Sequence, residues 1–595
     1  MEKITVIGVG RLGLCTALVF EAKNYDVLGI DVFQEYVDSL NNKTFKSTEP
    51  YLNSYLRYSK NFRASTDLTE GLNFSDLIFI LVQTPTLKDK KEYDHSIIVD
   101  VLKKINDRKV SNKHIIICST VMPGFITKIA KPLLKDCVNT YLAYNPEFIA
   151  QGSIIHDLHT SSMVLIGEEN KETGNKLQQI YEKIAHDARI CRMSIESAEI
   201  TKIGLNCFIT TKIAFANMIG DIADKTIGAN KDDILFAIGS DLRVGNKCLK
   251  AGFGFGGPCF PRDNRALEHY ANLVGINPLI PIATDESNKF HTEFQFQSMN
   301  NLSDKIVLEN VGYKDNCPVP IIEESQKLII ANKLVKAGRK VILVDSDIIL
   351  NEVKKIHGDK FTYVSKDKFI HKTYIVHYSK LTERKKYMTV QLIDNDYENK
   401  VSPVQWLTLF DRELMTPEIV SEVFKYDYNI CPRRLGAPEI CCYRSHAHAI
   451  EEIANDETIL SGMILEDDIM FKKNYVKHLE TLSKIVPNNW EIIVVGGSHQ
   501  HGIDNTSNDE KDDPKKFYIY TPKSRDVPTG NYIIRKEACK KVLKSGLFKP
   551  FSQPIDDNMS MIASKLGLIV YWCRPWLSLE GSKNGLFDTS AERGF

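Results

Sequence analysis

The chain has 595 residues, too many for one hydrophobic core, and ordinary domain sizes divide it into roughly three to five units. Lys plus Arg and Asp plus Glu each number 76, so no net charge draws it to nucleic acid or to an anionic membrane, and any phosphate-binding surface must be local. Hydrophobic residues at 43% and charged residues at 26% are those of a soluble globular protein, with no apolar run approaching the length of a membrane span.

Residues 1–185 alternate short apolar runs with amphipathic stretches. Ile4–Val9, Val27–Asp31, Leu77–Val82, His114–Ser119 and Tyr141–Asn145 read as strands of a parallel sheet wrapped by helices. The first strand starts at Ile4, too early for a charged leader and apolar core, so a cytoplasmic chain is expected. A long helix follows over about Ser197–Ala223, then a Gly-rich loop over 250–263 and a helical stretch over 264–290. A new βαβ-like unit begins near Lys305, with Lys305–Glu309 and Lys340–Asp345 as strands and Ser325–Ala337 as helix. A further restart follows at Thr373–Tyr378, with strands at Ile459–Leu465 and Glu491–Val495. Asp504–Lys516 is polar and charged and reads as an exposed loop. The 13 cysteines are scattered, with no CxxC pair, and read as buried thiols plus one nucleophile rather than a disulfide or zinc framework.

The run Ile4-Thr-Val-Ile-Gly-Val-Gly-Arg-Leu-Gly13 is G-x-G-x-x-G directly behind a strand. Gly8 serves the tight turn, Gly10 the approach of backbone to a pyrophosphate, and Gly13 close packing of helix on strand. Arg11 and Leu12 open a helix whose free N–H groups face the phosphates. Asp31 ends the second strand, where a carboxylate binds both ribose hydroxyls and repels a 2′-phosphate, which selects NAD.

Residues 252–263, Gly-Phe-Gly-Phe-Gly-Gly-Pro-Cys-Phe-Pro-Arg-Asp, place Cys259 behind four glycines, where backbone can close on a ligand and leave the thiol accessible. Lys202 and Asn206 are four apart on one helix face. Glu147 follows a strand end in Asn145-Pro-Glu-Phe148, and Ser119-Thr120 sits at another, where open α/β sheets put ligand groups.

Gly8–Gly13, Thr84-Pro85, Ser119-Thr120, Pro146-Glu147-Phe148, Lys202 with Asn206, and the cysteine motif occur in that order. In this the chain closely resembles the UDP-glucose/GDP-mannose 6-dehydrogenases over about residues 1–345. The resemblance implies a four-electron oxidation with two NAD⁺ per turnover. The C6 alcohol becomes an aldehyde, Cys259 captures it as a thiohemiacetal, a second hydride leaves a thioester, and water releases the carboxylate. It implies that Lys202 and Asn206 donate to the oxyanion at C6, and that Glu147 and Asp263 handle protons and water. Thr120 joins the catalytic set, and Thr84 and Thr120 the cofactor set. Phe148, Phe253, Gly256 and Arg243 line the sugar nucleotide, Arg243 across a dimer. One departure stands out: Ala150-Gln151-Gly152 replaces the family's Arg-Glu-Gly, which leaves substrate identity more open than chemistry.

Residues 311–325 resemble the opening of the family's nucleotide-binding third domain, with Lys314 toward phosphate or sugar oxygens. Only some 65 residues, roughly 305–370, remain before the next pattern, so that domain is expected to be truncated.

In Thr373-Tyr-Ile-Val-His-Tyr-Ser-Lys-Leu-Thr-Glu-Arg384 a strand and a loop with one arginine suit a diphosphate. Gly462-Met-Ile-Leu-Glu-Asp-Asp-Ile469 ends an apolar strand in three carboxylates, and Mn²⁺ or Mg²⁺ bridging a nucleotide-sugar diphosphate would relieve their repulsion. With Pro438–His446, Thr529–Ala538, Pro554–Asp557 and Pro575–Ser578, the order resembles glycosyltransferase family 25, the lipopolysaccharide and collagen galactosyltransferase group, across about 372–595. The resemblance implies a GT-A fold and inverting transfer, with Glu466, Asp467 and Asp468 as metal ligands and Asp556 or Asp557 as general base.

The expected α/β architecture is therefore a Rossmann-type NAD domain (1–190), a helical central and dimerisation domain (191–300), a truncated UDP-sugar-binding unit (301–370) and a GT-A-like glycosyltransferase domain (371–595). UDP-glucose to UDP-glucuronate is the leading reaction, with GDP-mannose or a UDP-N-acetylhexosamine as alternatives and an inactive, dimerising scaffold as the rival reading. A homodimer is expected, with a glycan or peptide acceptor and no nucleic acid.

Overall fold

The computed structural model describes residues 1–87, 91–431, 433–497, 518–520 and 527–587. It divides into two compact units, Met1–Phe361 and Thr362–Phe595. The expected loop Asp504–Lys516 lies outside the described residues.

The first unit is built on an eight-stranded sheet of β1 (Lys3–Ile7), β2 (Asp26–Ile30), β3 (Phe62–Ser65), β4 (Leu77–Ile80), β5 (His114–Ile117), β6 (Tyr141–Tyr144), β7 (Met163–Glu168) and β8 (Arg189–Met193). The order is β3-β2-β1-β4-β5-β6-β7-β8, parallel except where β7 runs against β6. Both faces are covered, which explains apolar runs rather than alternation: Ile4, Val6, Ile78, Phe79, Ile115 and Ile116 are all buried. The strand order reverses at β1, so a crevice opens beyond the carboxyl ends of β1 and β4, where doubly wound sheets bind ligands.

The long helix runs over Ile195–Lys225, its first turn capped by the Ser194 side chain on the amide of Ser197. By length and composition alone it is long and apolar enough to cross a membrane, which the sequence reading did not anticipate. In the fold it is a spine packed against the helices Phe260–Leu273 and Leu279–Asn300, with Glu199, Lys202 and Asn206 buried on it. The single helical stretch expected over 264–290 is two helices. Gly275 at φ +77° and Pro278 just before Leu279 break it, and the first helix starts earlier, at Phe260, inside the expected loop.

Beyond it, Lys305–Glu309 and Lys340–Asp345 pair in parallel, connected through the helix Gln326–Lys336 that Ser325 caps. A further helix, Asp347–His357, ends at Gly358.

The second unit holds a seven-stranded mixed sheet ordered Val404–Leu407, Lys372–Val376, Ser461–Glu466, Asn531–Arg535, Ile492–Val494, Val570–Arg574, Tyr518–Tyr520. Lys372–Val376 is parallel to both its neighbours, while Asn531–Arg535 runs antiparallel to its own. The helix Ala437–Asn455 covers one face through Tyr443, Ala447, Ile450 and Ile453, all fully buried.

Candidate active sites

The turn after β1 is shaped by what a side chain would strike. A β-carbon on Gly8, at φ +89°, would lie 2.7 Å from the carbonyl oxygen of Leu81, and one on Gly13 would lie 1.9 Å from that of Gly8. At Gly10 it would meet nothing within 4 Å. Gly8 and Gly13 are thus glycines for the protein's own packing, while Gly10 borders open space at a helix N-terminus, as a bound pyrophosphate requires. The helix begins at Arg11, whose guanidinium donates to Gln151 Oε1 at 2.5 Å, and Leu12 packs on the core. Asp31 closes β2 and receives a long bond, 3.4 Å, from the amide of Phe33. Thr84 Oγ1 donates to the carbonyl of Thr120 at 2.8 Å, which ties together the loops beyond β4 and β5. These residues fit a dinucleotide.

Cys259 is the N-cap of the helix Phe260–Leu273, whose first turn carries Pro261, so the sulfur sits at the positive end of a helix. Cys259 is an exposed residue, yet the walls around its sulfur desolvate it. That desolvation and Asp263 push its pKa up, whereas Arg262 and Lys202 pull it down.

Asp263 is buried and accepts from Tyr93 Oη at 2.8 Å, Asn206 Nδ2 at 2.7 Å and Arg262 Nε at 3.2 Å. Arg262 also donates to the carbonyl of Thr84 at 3.1 Å, linking the cysteine motif to the cofactor side. Lys202 is buried; its Nζ donates to the backbone carbonyl of Glu147 at 2.6 Å and lies 4.5 Å above the ring of Phe148. Desolvation lowers its pKa, and Asp263 and Cys259 act against that. The carboxylate of Glu147 instead accepts from Tyr181 Oη at 2.9 Å, beside a small pocket lined also by Asn145, Phe148 and Met163. Burial raises this carboxyl to about 7, although the Tyr181 bond and the charge of Lys202 pull it down.

The glycine loop is clamped from outside. A β-carbon on Gly254 would strike Asn288 Oδ1 at 2.4 Å, and on Gly256 the carbonyl of Glu324 at 2.2 Å. Phe253 receives Lys327 Nζ over its ring at 4.8 Å. Tyr313 lies against Gly257 and donates to the carbonyl of Gln151 at 2.7 Å; Lys314 Nζ would stand 3.5 Å from a β-carbon on Gly152. The replaced Ala-Gln-Gly segment is therefore held from both sides, by Arg11 and by Tyr313. Arg243 is not brought to this group in one chain: it forms a bidentate pair with Asp241 and its side chain is 89% exposed.

In the second unit, Val376 and His377 at one strand end and Glu466 and Asp467 at the next line a cleft, with Arg384, Asp411, Arg412 and Cys442. The three successive carboxylates have different environments. Asp467 accepts from His377 Nδ1 at 2.7 Å and Arg384 at 3.1 Å, all three buried, so it is already neutralised by protein. Arg384 is correspondingly not a loop arginine but a buried residue of the helix Thr382–Asp394. Asp468 accepts from the amide and hydroxyl of Ser582 through Oδ2, while its buried Oδ1 has no hydrogen-bond partner; burial and Glu466 raise its pKa. Glu580 is raised to about 7 by burial, then by Glu466 and Asp468. Glu466, Asp468 and Glu580 thus gather in one place, with Lys583 paired to Glu580 at 2.6 Å, Arg384 3.9 Å from Asp468 and His446 3.7 Å from Glu466. The unbonded Oδ1 of Asp468 beside Glu466 fits a divalent cation, whereas both Asp467 oxygens are taken by His377 and Arg384. Asp556 accepts from the amide of Thr529 at 2.6 Å, and Asp557 is its exposed neighbour in the first turn of the helix Ile555–Leu566.

Tyr93, Tyr181, Arg262 and His377 carry functional geometry that motif reading did not assign. Arg262 and His377 stood inside the quoted motifs; Tyr93 and Tyr181 carried no local signal at all.

Residues 2–185 match the NAD-binding domain and residues 196–290 the central domain of the UDP-glucose/GDP-mannose dehydrogenase family; residues 370–559 match glycosyltransferase family 25 (LPS biosynthesis protein). A GDP-mannose 6-dehydrogenase of Pseudomonas savastanoi pv. phaseolicola is 29% identical over 377 residues, covering 61% of this chain and 84% of that one. The UDP-glucose 6-dehydrogenase YwqF of Bacillus subtilis is 30% identical over 355 residues, 58% of this chain and 79% of that one. A UDP-glucose dehydrogenase from the hyperthermophilic archaeon Pyrobaculum islandicum shares the fold, with TM-score 0.57 at 24% identity over 63% of this chain and 89% of that one. Turn, cysteine loop and family matches agree: the chain belongs to the UDP-glucose/GDP-mannose dehydrogenase family and carries a glycosyltransferase family 25 domain behind it.

Proposed function

We propose that the first unit oxidises the C6 hydroxyl of a nucleotide sugar to a carboxylate, with UDP-glucose as leading substrate and GDP-mannose or a UDP-N-acetylhexosamine as alternatives. The observation that carries this reading is the convergence of Cys259, Lys202 and the Asn206–Asp263 pair, with Arg262 tying the cysteine motif to Thr84 beyond β4. NAD, when bound, accepts the hydride in each of the two oxidations. Lys202 and Asn206 stabilise the oxygen at C6 as its proton leaves. The Cys259 thiolate adds to the aldehyde carbon; loss of hydride from that adduct leaves a thioester, and water attack frees carboxylate and thiol. The helix N-terminus, Arg262 and Lys202 work against the desolvation and the Asp263 charge that raise the thiol's pKa. Glu147, whose carboxyl burial raises to about 7, and Asp263, bonded to Asn206, are the carboxylates assigned the proton transfers and the activation of water.

The test is NADH absorbance with a panel of nucleotide sugars and product identification. The reading expects about two NADH per sugar, from a four-electron oxidation, and no carboxylate from Cys259→Ser. Silence with every sugar, by folded protein, establishes instead the scaffold reading.

The second unit is read as a glycosyltransferase using a nucleotide sugar, with Mn²⁺ or Mg²⁺ held by Glu466 and Asp468 against the diphosphate and Asp556 or Asp557 as base on the acceptor hydroxyl. Donor hydrolysis or transfer that needs added metal and is lost in Asp468→Ala supports it.

The assembly proposed is a cytoplasmic homodimer. Phe208, Phe215 and Ile222 lie seven residues apart along the long helix and are exposed, as are Phe236 and Leu242. Pairing of that apolar stripe would cover it and carry Arg243 toward a neighbouring chain. Sedimentation of Phe215→Asp as a monomer supports this, and an unchanged mass refutes it.

A further inference from the structure

Between the helix Ala437–Asn455 and the end of the strand Ser461–Glu466, three metal-binding groups of different chemistry face one another. Cys442 and His446 are four apart on one helix face, and Cys442 Sγ and His446 Nε2 each stand 3.7 Å from Glu466 Oε1. All three donor atoms lie within 4.8 Å of one another. A tetrahedral ion with bonds of about 2.0 Å to N and O and about 2.3 Å to S holds such atoms roughly 3.3 to 3.5 Å apart, so the two distances to Glu466 need to shorten by only a few tenths of an ångström, and the sulfur-to-nitrogen distance by a side-chain adjustment.

A second, independent feature points to a ligand. His446 is fully buried, and its Nε2 makes no hydrogen bond, with the Glu466 carboxylate facing it only at 3.7 Å, too long to satisfy a buried polar atom. The other ring nitrogen is fixed: Nδ1 is 3.1 Å from Tyr532 Oη, and the two rings stack at 5.8 Å. That is the outer contact that orients a ligating imidazole with Nε2 presented to an ion.

We infer that Cys442, His446 and Glu466 form a binding site for a thiophilic divalent cation of the zinc class, with a fourth position open to the cleft that Cys442 and Glu466 line. On binding, the Cys442 proton passes to solvent and the thiolate becomes the ligand. Thiolate and imidazole select against Mg²⁺ and Mn²⁺, which prefer oxygen. Glu466 is common to this set and to the oxygen set with Asp468, but both the thiol and the imidazole face its Oε1. The inference does not rest on transferase activity, because the ion itself is the readout.

The experiment uses the full chain. Metal analysis of the protein after Zn²⁺ loading and desalting should give about one bound ion per chain. Co²⁺ in its place should give a thiolate-to-cobalt charge-transfer band in the near ultraviolet. Cys442→Ser should abolish the band and weaken binding by more than about 100-fold, while Cys441→Ser leaves both unchanged. Because Cys442→Ser can disturb packing, Cys442→Asp is measured beside it: the band goes and an ion still binds. Near-ultraviolet circular dichroism checks that each variant is folded. A folded wild-type chain that keeps no ion and shows no band overturns the inference, and so does a band that persists undiminished in Cys442→Ser.

Discussion

Tyr313, from the short third unit, lies flat against Gly257, two residues before Cys259: a β-carbon on Gly257 would fall 2.6 Å from the Tyr313 ring. The third unit therefore forms a wall of the loop that carries Cys259. Gly257→Ala should destabilise the first unit by about 2 to 4 kcal/mol, because φ is +84° and the ring must move. Adding Tyr313→Ala should relieve the collision but not the backbone strain. A double-mutant cycle from denaturant unfolding should then show a coupling of about 1 kcal/mol or more, and simple additivity would remove the contact from the account.

The three glycines of the dinucleotide turn should part company. Gly13→Ala puts a methyl 1.9 Å from the Gly8 carbonyl and should prevent stable folding of the first unit. Gly10→Ala meets no protein atom, so it should fold with a Tm near wild type while its KM for NAD rises by about tenfold or more. Thermal unfolding beside NADH kinetics separates the two. A large loss of stability in Gly10→Ala would contradict the open space seen there.

Glu147 gives a pH signature. Its folded-state pKa, about 7, is above the ordinary 4.5, so between those values the native state holds a proton that the unfolded chain releases. Stability of the first unit should therefore fall as pH rises through that window and level off above it. Glu199, also raised to about 7 by burial, adds a parallel slope, so the comparison must be between wild type and Glu147→Gln. The Tm difference should be small at the acid end and grow in favour of the glutamine variant toward the alkaline end. If Glu147 takes the reaction's protons, kcat in wild type should rise through neutrality and be lost in the variant. A pH-independent Tm difference would mean that its carboxyl is not held above its ordinary value.

Asp467 and Asp468, adjacent in sequence, should respond in opposite ways. Asp467→Asn breaks a buried arrangement with His377 and Arg384 and should cost the second unit about 3 to 5 kcal/mol. Asp468→Asn removes a buried charge beside Glu466 that has one unpaired oxygen, and should leave stability equal or higher. Calorimetry that resolves the two units reads this directly. Equal destabilisation by both would refute the division of roles.

Much of the first unit was legible in sequence because its rules are local. Apolar runs at β1, β2, β4, β5 and β6, glycines at 8, 10 and 13, and Lys202 spaced four from Asn206 need only a strand, a turn and a helix to be understood. The break at Gly275–Pro278 was missed since helical patterning resumes on both sides of it. What tertiary structure alone decided is which partner each polar group takes. Nothing in the chain order tells that Asp263 answers to Tyr93, that the Glu147 carboxylate turns to Tyr181 while its carbonyl takes Lys202, or that Asp467 is spent on His377 and Arg384. Those pairings join residues 34 to 170 positions apart. They follow from burial, since a charge taken out of water must find its counter-charge or donor in space, and space is set only when the sheets have closed.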